Sequence, residues 1–289
     1  MIWLLFSIIC STLIFVIFKY FDKFGVNNLQ AIIVNYVVAF SLGMSLHGFE
    51  TNLLEIPEKN WFWNAFILGI IFIWLFRLMA IASQKIGVSV VSITVKMSLA
   101  IPVLFGIFYY QESVNFIKIL GIGLALFAVY LATAKDKSKK SSELYIKLPV
   151  ILFLGSGVLD TFINYNQEEI VLEAEHGLFT SSIFGMAAVF GSILLFIQHR
   201  KNKVKLKLKN LWAGIILGIP NYGSIYFLIR SLNHNNMESS IVFPINNVGI
   251  VAMSVLFGLF LFSEKLNLKN KIGIALAILS IVLLGMDSF

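Results

Sequence analysis

Ten uninterrupted apolar stretches of about 20 residues run through the 289-residue chain and limit what it can fold into. About 20 residues of α-helix cross the hydrocarbon core of a bilayer. Helix is required because every backbone polar group in lipid must be satisfied within its own segment. The stretches do not alternate as barrel strands do, so we predict an all-α integral membrane protein with ten transmembrane helices. They lie at about 2–21, 28–47, 61–83, 87–110, 116–134, 148–166, 177–198, 210–231, 238–262 and 268–286.

The composition supports the same class. The chain is 58% hydrophobic and 13% charged, whereas a soluble domain is about half apolar and a quarter charged. Cys10 is the only cysteine, which excludes an internal disulfide. The four histidines lie at the ends of the stretches without metal-ligand spacing, and no phosphate-binding glycine motif is present. We therefore expect no metal, no cofactor and no ATP-driven step within this chain.

The chain contains an internal repeat. Residues 103–131 align with 255–283 at a constant offset of 152, and 12 of the 29 pairs are identical. Each copy is an apolar segment, a short polar break with a glutamate (Glu112 or Glu264), and a second apolar segment. Asn115 and Asn267 are expected to cap the following helices. The glutamates are expected at the positive ends of those same helices, in a structural role or a transport role.

The repeat divides the chain into two halves of five spans. The first half covers residues 1–134, a lysine-rich linker covers 135–147, and the second half covers 148–289. An odd number of spans turns the second half upside down relative to the first. The chain is therefore predicted to fold as two inverted five-helix repeats around a central cavity.

The formal net charge of +7 has a membrane explanation rather than a nucleic-acid one. Seventeen Lys and Arg residues fall in the loops of one side, and three fall on the other. By the positive-inside rule, the lysine-rich loops are cytoplasmic and both termini are external. The predicted location is the plasma (inner) membrane, with the lipid bilayer as a partner and no nucleic acid. A monomer is compatible with the sequence, which does not set the oligomeric state.

Two segments carry a resemblance to a known family: FYYQESVNFIKILGIGLALFAVYL and FLFSEKLNLKNKIGIALAILSIVLLG. With the ten spans and two repeats, they resemble the drug/metabolite transporter superfamily, EamA type, over the whole chain. The resemblance implies transport of small metabolites or drugs, with spans 1–4 and 6–9 around a cavity and spans 5 and 10 behind it. Many members place their termini inside the cell, whereas the charges of this chain predict external termini.

Lys96 lies close to the middle of the fourth span. A central lysine costs about 2.5–3.5 kcal/mol on insertion scales, so it should face a cavity or a partner. It could hold a polar or anionic group of a substrate, together with Ser92 one turn away. Alternatively, it is a structural partner of Asp160 or of carbonyl groups freed by Pro102.

Asp160 is the only acidic residue well inside a span. A carboxyl in a low dielectric tends to keep its proton, which makes Asp160 a candidate for proton coupling. The alternative is a static ion pair with Lys96 or Arg77. Arg77 and Trp74 are one turn apart in the third span and are further candidates for substrate contact.

Polar residues beside prolines, or in otherwise apolar spans, recur in both halves. Each could make a packing hydrogen bond, but their similar predicted depth favours a shared substrate site. The candidates are Asn35 and Tyr36 in span 2, Asn221 and Tyr222 in span 8, and Asn246 and Asn247 in span 9.

Together these features predict a secondary transporter that moves a small organic metabolite or drug-like compound by alternating access, with export as the expected direction. It is not expected to be an enzyme. The alternatives are a membrane sensor or assembly subunit, and an integral-membrane enzyme without transport activity. Either alternative would bind or act without carrying solute across the membrane.

Overall fold

Eleven α-helices make up almost all of the described chain. The computed structural model describes residues 2–47, 53–111, 114–133, 144–202, 205–234 and 239–286, and no strand occurs among them. Two short 3-10 helices, Leu53–Glu58 and Glu173–Glu175, lie in connections. The α-helices are α1 Ile2–Lys23, α2 Asn28–His47, α3 Phe62–Lys85, α4 Val88–Met97, α5 Ala100–Tyr109, α6 Phe116–Thr133, α7 Leu144–Glu169, α8 His176–Asn202, α9 Leu208–His234, α10 Ser239–Phe262 and α11 Leu268–Met286.

Each predicted apolar stretch corresponds to helix. Nine segments of the described chain are long and apolar enough to cross a membrane when α4 and α5 are taken together, and α11 adds a further helix of 19 residues. The protein is thus an integral, multi-pass membrane protein. α7 begins at Leu144 rather than near 148, so the last residues of the predicted linker are helical. Residues 135–143 of that linker lie outside the described part.

The fourth span is broken, where the sequence predicts one helix over 87–110. Pro102 has no N–H and cannot donate to the carbonyl of Ser98 four residues earlier. Instead the Ile101 N–H donates to that carbonyl at 2.9 Å, which tightens the turn. The Ser98 hydroxyl donates to the Val95 carbonyl at 2.6 Å. As a result α4 ends at Met97, one residue after Lys96.

α6 and α11 pack closely against each other at two glycines that the repeat pairs, Gly121 and Gly273. A Cβ on Gly273 would lie 2.6 Å from the backbone nitrogen of Ala132, and one on Gly121 would lie 2.8 Å from the Leu284 side chain. The Asn270 amide donates to the carbonyl of Ala132 at 2.8 Å. Gly123 on α6 makes no such approach, since an added Cβ there would meet nothing within 4 Å.

Packing partners recur across the two halves. α1 packs on α9 and α10, and α7 packs on α3 and on α4 with α5. α2 packs on α9 as α8 packs on α3. Several relations have no counterpart, and the most extensive is that of α1 along α3: α7 and α9 do not pack together over any comparable length in the described chain. Likewise α2 packs on α3, but α8 does not pack on α9 over a comparable length there. The two ends of the helix bundle therefore differ.

Candidate functional site

A cavity of about 170 Å³ opens between the ends of α2 and α9 and the start of α8. We call this end of the bundle the acidic end, because the connection carrying Glu173 and Glu175 lies there. The other end, where the connections 24–27, 86–87 and 263–267 meet, is the lysine-rich end. The cavity is lined by Leu46, Gly177, Thr180, Ser181, Tyr222, Ile225, Tyr226, Ile229 and Arg230.

One face of α9 supplies the polar wall of the cavity. Tyr222, Tyr226 and Arg230 follow each other at intervals of four residues, which aligns them along a helix. The two tyrosine rings stack with centroids 6.2 Å apart. The Arg230 Nε donates to the Tyr226 hydroxyl at 3.1 Å. Its guanidinium also lies over the rings of Tyr226 and Trp3, at 5.4 and 5.9 Å from their centroids.

Arg230 has no carboxylate within ion-pair distance in the described chain, where the sole ion pair joins Lys59 and Glu175. Those two residues lie in connections at the same end, 2.7 Å apart, and the Trp61 indole also donates to Glu175 at 2.8 Å. These hydrogen bonds hold the pKa of Glu175 below its ordinary value. The carboxylate of Glu175 is therefore already hydrogen-bonded to Lys59 and Trp61. The guanidinium of Arg230 remains available to bind another group.

The lysine-rich end is sealed by side chains that tie α1, α2 and α3 together. The Gln84 amide donates to the Phe18 carbonyl at 3.1 Å and to the Asn28 side chain at 2.9 Å. Lys19 Nζ donates to the Gln84 carbonyl at 2.8 Å. These bonds join the end of α3 to the α1–α2 corner, and they account for the packing of α1 along α3.

Glu264 closes the same end in a way the sequence does not predict. Its carboxylate accepts from the Val88 N–H at 2.6 Å, and from the Ser89 N–H and hydroxyl at 3.2 and 2.6 Å. It thus caps α4 of the other half, whereas the prediction placed it at the start of the following helix, α11. The start of α11 is capped by Asn267 and that of α6 by Asn115, as predicted: the Asn267 side chain accepts from the Asn270 N–H at 2.8 Å, and the Asn115 side chain from the Lys118 N–H at 2.9 Å.

Three of the predicted site residues are buried with unpaired polar atoms. Asn35 has no hydrogen-bond partner for either side-chain atom in the described chain and is fully buried. The same holds for Nδ2 of Asn221 and Oδ1 of Asn246. A buried amide without a partner is costly. Asn35 lies on α2 of the first half, and Asn221 and Asn246 lie on α9 and α10 of the second. Among the predicted site residues only Tyr222 lines the cavity itself.

Two other predicted residues have packing partners. The Tyr36 hydroxyl donates to the Phe72 carbonyl at 3.0 Å, and its ring stacks on Phe184. The Ser92 hydroxyl donates to the Ser89 carbonyl within α4 at 3.0 Å. These contacts give Tyr36 and Ser92 structural roles in this arrangement.

Lys96 and Asp160 are brought together but do not form a close ion pair. Both are partly exposed, and their charges interact electrostatically at a separation beyond 4 Å. Lys96 lies in the last turn of α4, where a cation is favoured by the helix dipole. Asn247, on α10, is partly exposed and has no hydrogen bond within the described chain.

Trp74 and Arg77 lie away from the cavity. Trp74 is 50% exposed, on the same face of α3 as the exposed residues Ile67 and Ile70. This face has the apolar character of a lipid-facing surface. Arg77 is exposed and lines an open hollow of about 300 Å³ at the lysine-rich end, beside Asp22 and Gln198. The structure thus separates both residues from the other candidates.

Sequence reasoning missed the cavity residues Arg230, Tyr226 and Ser181. Arg230 was assigned to the external loops because it stands near the end of its apolar stretch. The four-residue spacing of Tyr222, Tyr226 and Arg230 was the available signal, since it places an arginine and two phenols on one helix face. No three His, Cys, Asp or Glu side chains gather into a metal-binding group in the part of the chain that the structure describes.

The all-helical fold, with nine segments of the described chain long and apolar enough to cross a membrane, defines a polytopic membrane protein. The sequence model of the EamA-like transporter family matches residues 1–134 and 170–286. The chain therefore belongs to the EamA-like transporter family. It is 25% identical over 286 residues to an uncharacterised protein of Haemophilus influenzae, covering 96% of this chain and 95% of that protein. A solved crystal structure superimposes with a TM-score of 0.58 over 96% of each chain at 12% identity, which concerns the fold alone.

Proposed function

We propose that the protein is a secondary transporter that exports a small organic metabolite or drug-like compound by alternating access. The observation that carries the proposal is the difference between the two ends of one helix bundle. One end is tied together by Gln84, Lys19 and Glu264 and carries an open surface hollow beside that tie, and the other opens into a cavity at Tyr222 and Arg230. A carrier needs such a difference, because its site must be open to one side at a time.

The recurring packing partners support an inverted-repeat arrangement. Exchanging the halves turns the α1–α9 contact into α7–α3 and the α2–α9 contact into α8–α3, and both pairs occur. The α1–α3 contact turns into α7–α9, which is not matched. By the same exchange, the missing contact would lie at the acidic end, where α9 lines the cavity. In the proposed cycle α7 and α9 close together while α1 and α3 separate, and the site then faces the other side.

The proposed substrate path runs from the cavity into the polar interior between the halves. Asn35, Asn221 and Asn246 offer unpaired amide groups there, and Lys96 with Asn247 extends the polar lining. Asp160 is the candidate for proton coupling. The split of Lys and Arg between the loops supports a plasma-membrane orientation with the lysine-rich end in the cytoplasm and both termini outside. The cavity would then face outward.

Crosslinking across the seal tests the proposal. In a Cys10→Ser background, Asn28→Cys with Gln84→Cys places two thiols where the side chains now hydrogen-bond. A short, reducible bis-thiosulfonate reagent should then lock the lysine-rich end. Compounds that raise the melting temperature of the purified protein are tested for flux into proteoliposomes. We expect the locked protein to bind such compounds, to show no flux, and to recover flux on reduction.

A matched crosslink controls for general rigidity. Asn64 and Asn166 hydrogen-bond at 2.6 Å near the acidic end, between α3 and α7. The α1–α9 contact is the counterpart of this one, and both are present in the same structure, so the α3–α7 contact should persist throughout the cycle. Linking Asn64→Cys to Asn166→Cys should therefore leave flux intact. Binding without flux in the unlocked protein would favour a sensor or assembly subunit, and turnover of a bound compound would favour an enzyme.

A further inference from the structure

We infer that the cavity between α2, α8 and α9 binds the anionic group of a small organic anion, with Arg230 and Tyr222 as its hydrogen-bond donors. Transport of that anion rests on the proposed function, whereas its binding does not. Neither Arg230 nor an anionic ligand at this place follows from family membership, since the family match gives no substrate.

The donors and acceptors that face the cavity are unequally available. The Thr180 hydroxyl donates to the carbonyl of His176 and the Ser181 hydroxyl to that of Gly177, each at 2.8 Å. The Tyr226 hydroxyl accepts from Arg230 Nε, so its own proton is directed elsewhere. The Tyr222 hydroxyl and the two terminal nitrogens of Arg230 have no partner within the described chain. The N–H and O–H groups of Arg230 and Tyr222 are thus available to donate, which suits a ligand that accepts hydrogen bonds.

The charge at the cavity also favours an anion. Arg230 is the only ionised side chain among the lining residues, and none of them is acidic. Among the described carboxylates at this end, Glu175 is bound by Lys59 and Trp61, and Glu168 and Glu169 lie near Tyr110. Glu55, Glu58 and Glu173 lie in connections at the same end and do not line the cavity. A guanidinium binds a carboxylate or phosphate through two parallel hydrogen bonds.

Arg230 is held ready for such a pair. Its guanidinium lies against the rings of Trp3 and Tyr226, which fixes the plane of the fork and reduces the entropy lost on binding. The remaining walls are apolar, from Leu46, Ile225 and Ile229. A space of about 170 Å³ with such walls fits a small apolar or aromatic body attached to the anionic group. That group could belong to a soluble carboxylate or to the phosphate of a lipid headgroup.

The test compares an anion with a neutral compound of the same shape. Benzoate and benzamide are titrated against the purified protein in a neutral detergent, by calorimetry and thermal shift. We expect benzoate to bind and benzamide to bind much more weakly. Arg230→Gln should weaken benzoate binding roughly tenfold or more, which is the effect of losing a charge-assisted hydrogen bond. Arg230→Lys should retain part of the affinity, and Tyr222→Phe should lose part of it.

The matched control is Arg77→Gln. Arg77 is an exposed arginine on α3 in the hollow at the other end, so its loss should leave benzoate binding unchanged. Short-chain phosphatidylglycerol is added as the lipid source. Competition by this lipid, with no binding of benzoate or inorganic phosphate, would assign the site to a headgroup. Equal binding of benzoate and benzamide, or full affinity in Arg230→Gln, would overturn the inference.

Failure of this inference is separable from failure of the proposed function. Arg230-dependent binding without flux in proteoliposomes would leave the anion site standing and remove the transporter. Flux of a compound whose binding does not depend on Arg230 would do the reverse. The two measurements use the same protein and the same variants.

Discussion

Single residues show which parts of the site the sequence could reveal. A polar residue in an apolar span is conspicuous, and on that basis Asn35, Asn221 and Asn246 were predicted to lie inside, where the structure buries them with unpaired atoms. The same reasoning selected Trp74, which the structure exposes on a face of α3 away from the cavity, because an aromatic residue is equally common on a lipid-facing surface and in a cavity. Arg230 was not predicted as a site residue, because a charged residue near the end of a span is usually assigned to the adjoining loop.

Lys96 is predicted to act on the substrate rather than to hold the fold. It has no hydrogen bond and no ion pair within 4 Å in the described chain, although its charge interacts electrostatically with that of Asp160 at a longer distance. Lys96→Met should weaken binding of a transported compound by about 1–3 kcal/mol and change the melting temperature little. Lys96→Arg should keep the charge and alter the fit. Calorimetry and thermal melting of both variants check this.

The control is Asp160→Asn combined with Lys96→Met. If Lys96 were the structural partner of Asp160, Lys96→Met alone would lower the melting temperature by leaving the Asp160 charge unpaired within the bundle. The double variant would then recover much of that loss. Recovery of this kind would reject the substrate role, as would unchanged transport in Lys96→Met.

The link from Glu175 to Lys59 and Trp61 predicts a pH-dependent stability. The pKa of Glu175 is lowered in the folded protein by these donors, so its stabilisation is present above its unfolded pKa. It is lost as the pH falls through the folded pKa. Glu175→Gln should therefore lower the melting temperature at pH 7, and the difference from wild type should shrink towards pH 3. The exposed neighbour Glu173 is the control, and Glu173→Gln should show no such difference at either pH.

Whole elements were the part the sequence predicted best, because hydrophobic length and capping residues are local properties. The stretches near 28–47, 116–134 and 268–286 match α2, α6 and α11 within a residue or so. The break after Met97 was not predicted, although Pro102 was visible. A proline removes one donor, but neighbouring groups decide whether a helix kinks or ends. Here the turn at Ser98 provides the alternative bonds.

The contact between α6 and α11 provides a prediction with an internal control. In Gly273→Ala the new methyl group would meet the backbone of Ala132 and Ala128, which cannot move aside as a side chain can. Overpacking of this kind costs about 1–3 kcal/mol. Gly123→Ala faces open space and should be neutral or stabilising by up to about 1 kcal/mol, from helix propensity. Thermal melting of the two variants in one detergent decides; equal loss in both would contradict the close contact.

At the scale of the molecule, the sequence reveals the repeat but does not reveal which end of the bundle is open. The alignment of 103–131 with 255–283 rests on identical residues, and those residues are the same whichever end of the bundle is open. The closed end is set by contacts between halves, such as those of Glu264 with α4, which no local pattern predicts. Two conformations related by exchange of the halves would share every local signal, so sequence patterns cannot separate them.

Glu264 is predicted to control how often the lysine-rich end opens. Its carboxylate receives three hydrogen bonds from Val88 and Ser89, and Glu264→Gln would remove the charge and turn an amide NH₂ group towards those donors. The seal should weaken and the population open at that end should rise. Ser92, one turn further into α4, is fully buried in the sealed state. In a Cys10→Ser, Ser92→Cys background, maleimide added on the lysine-rich side should label faster once Glu264→Gln is introduced.

Two variants bracket that result. Lys265→Gln changes the next residue of the same connection, which is exposed, and should leave labelling unchanged. Glu112 is the repeat partner of Glu264, and the offset of 152 that relates them also relates Val88 to Ser240 at the start of α10. If the halves exchange roles, Glu112→Gln weakens closure of the acidic end instead. The protein would then favour the arrangement described above, and labelling of Ser92→Cys would slow. Faster labelling in both glutamate variants would mean that they loosen the fold generally, and it would reject an exchange of seals between the two ends.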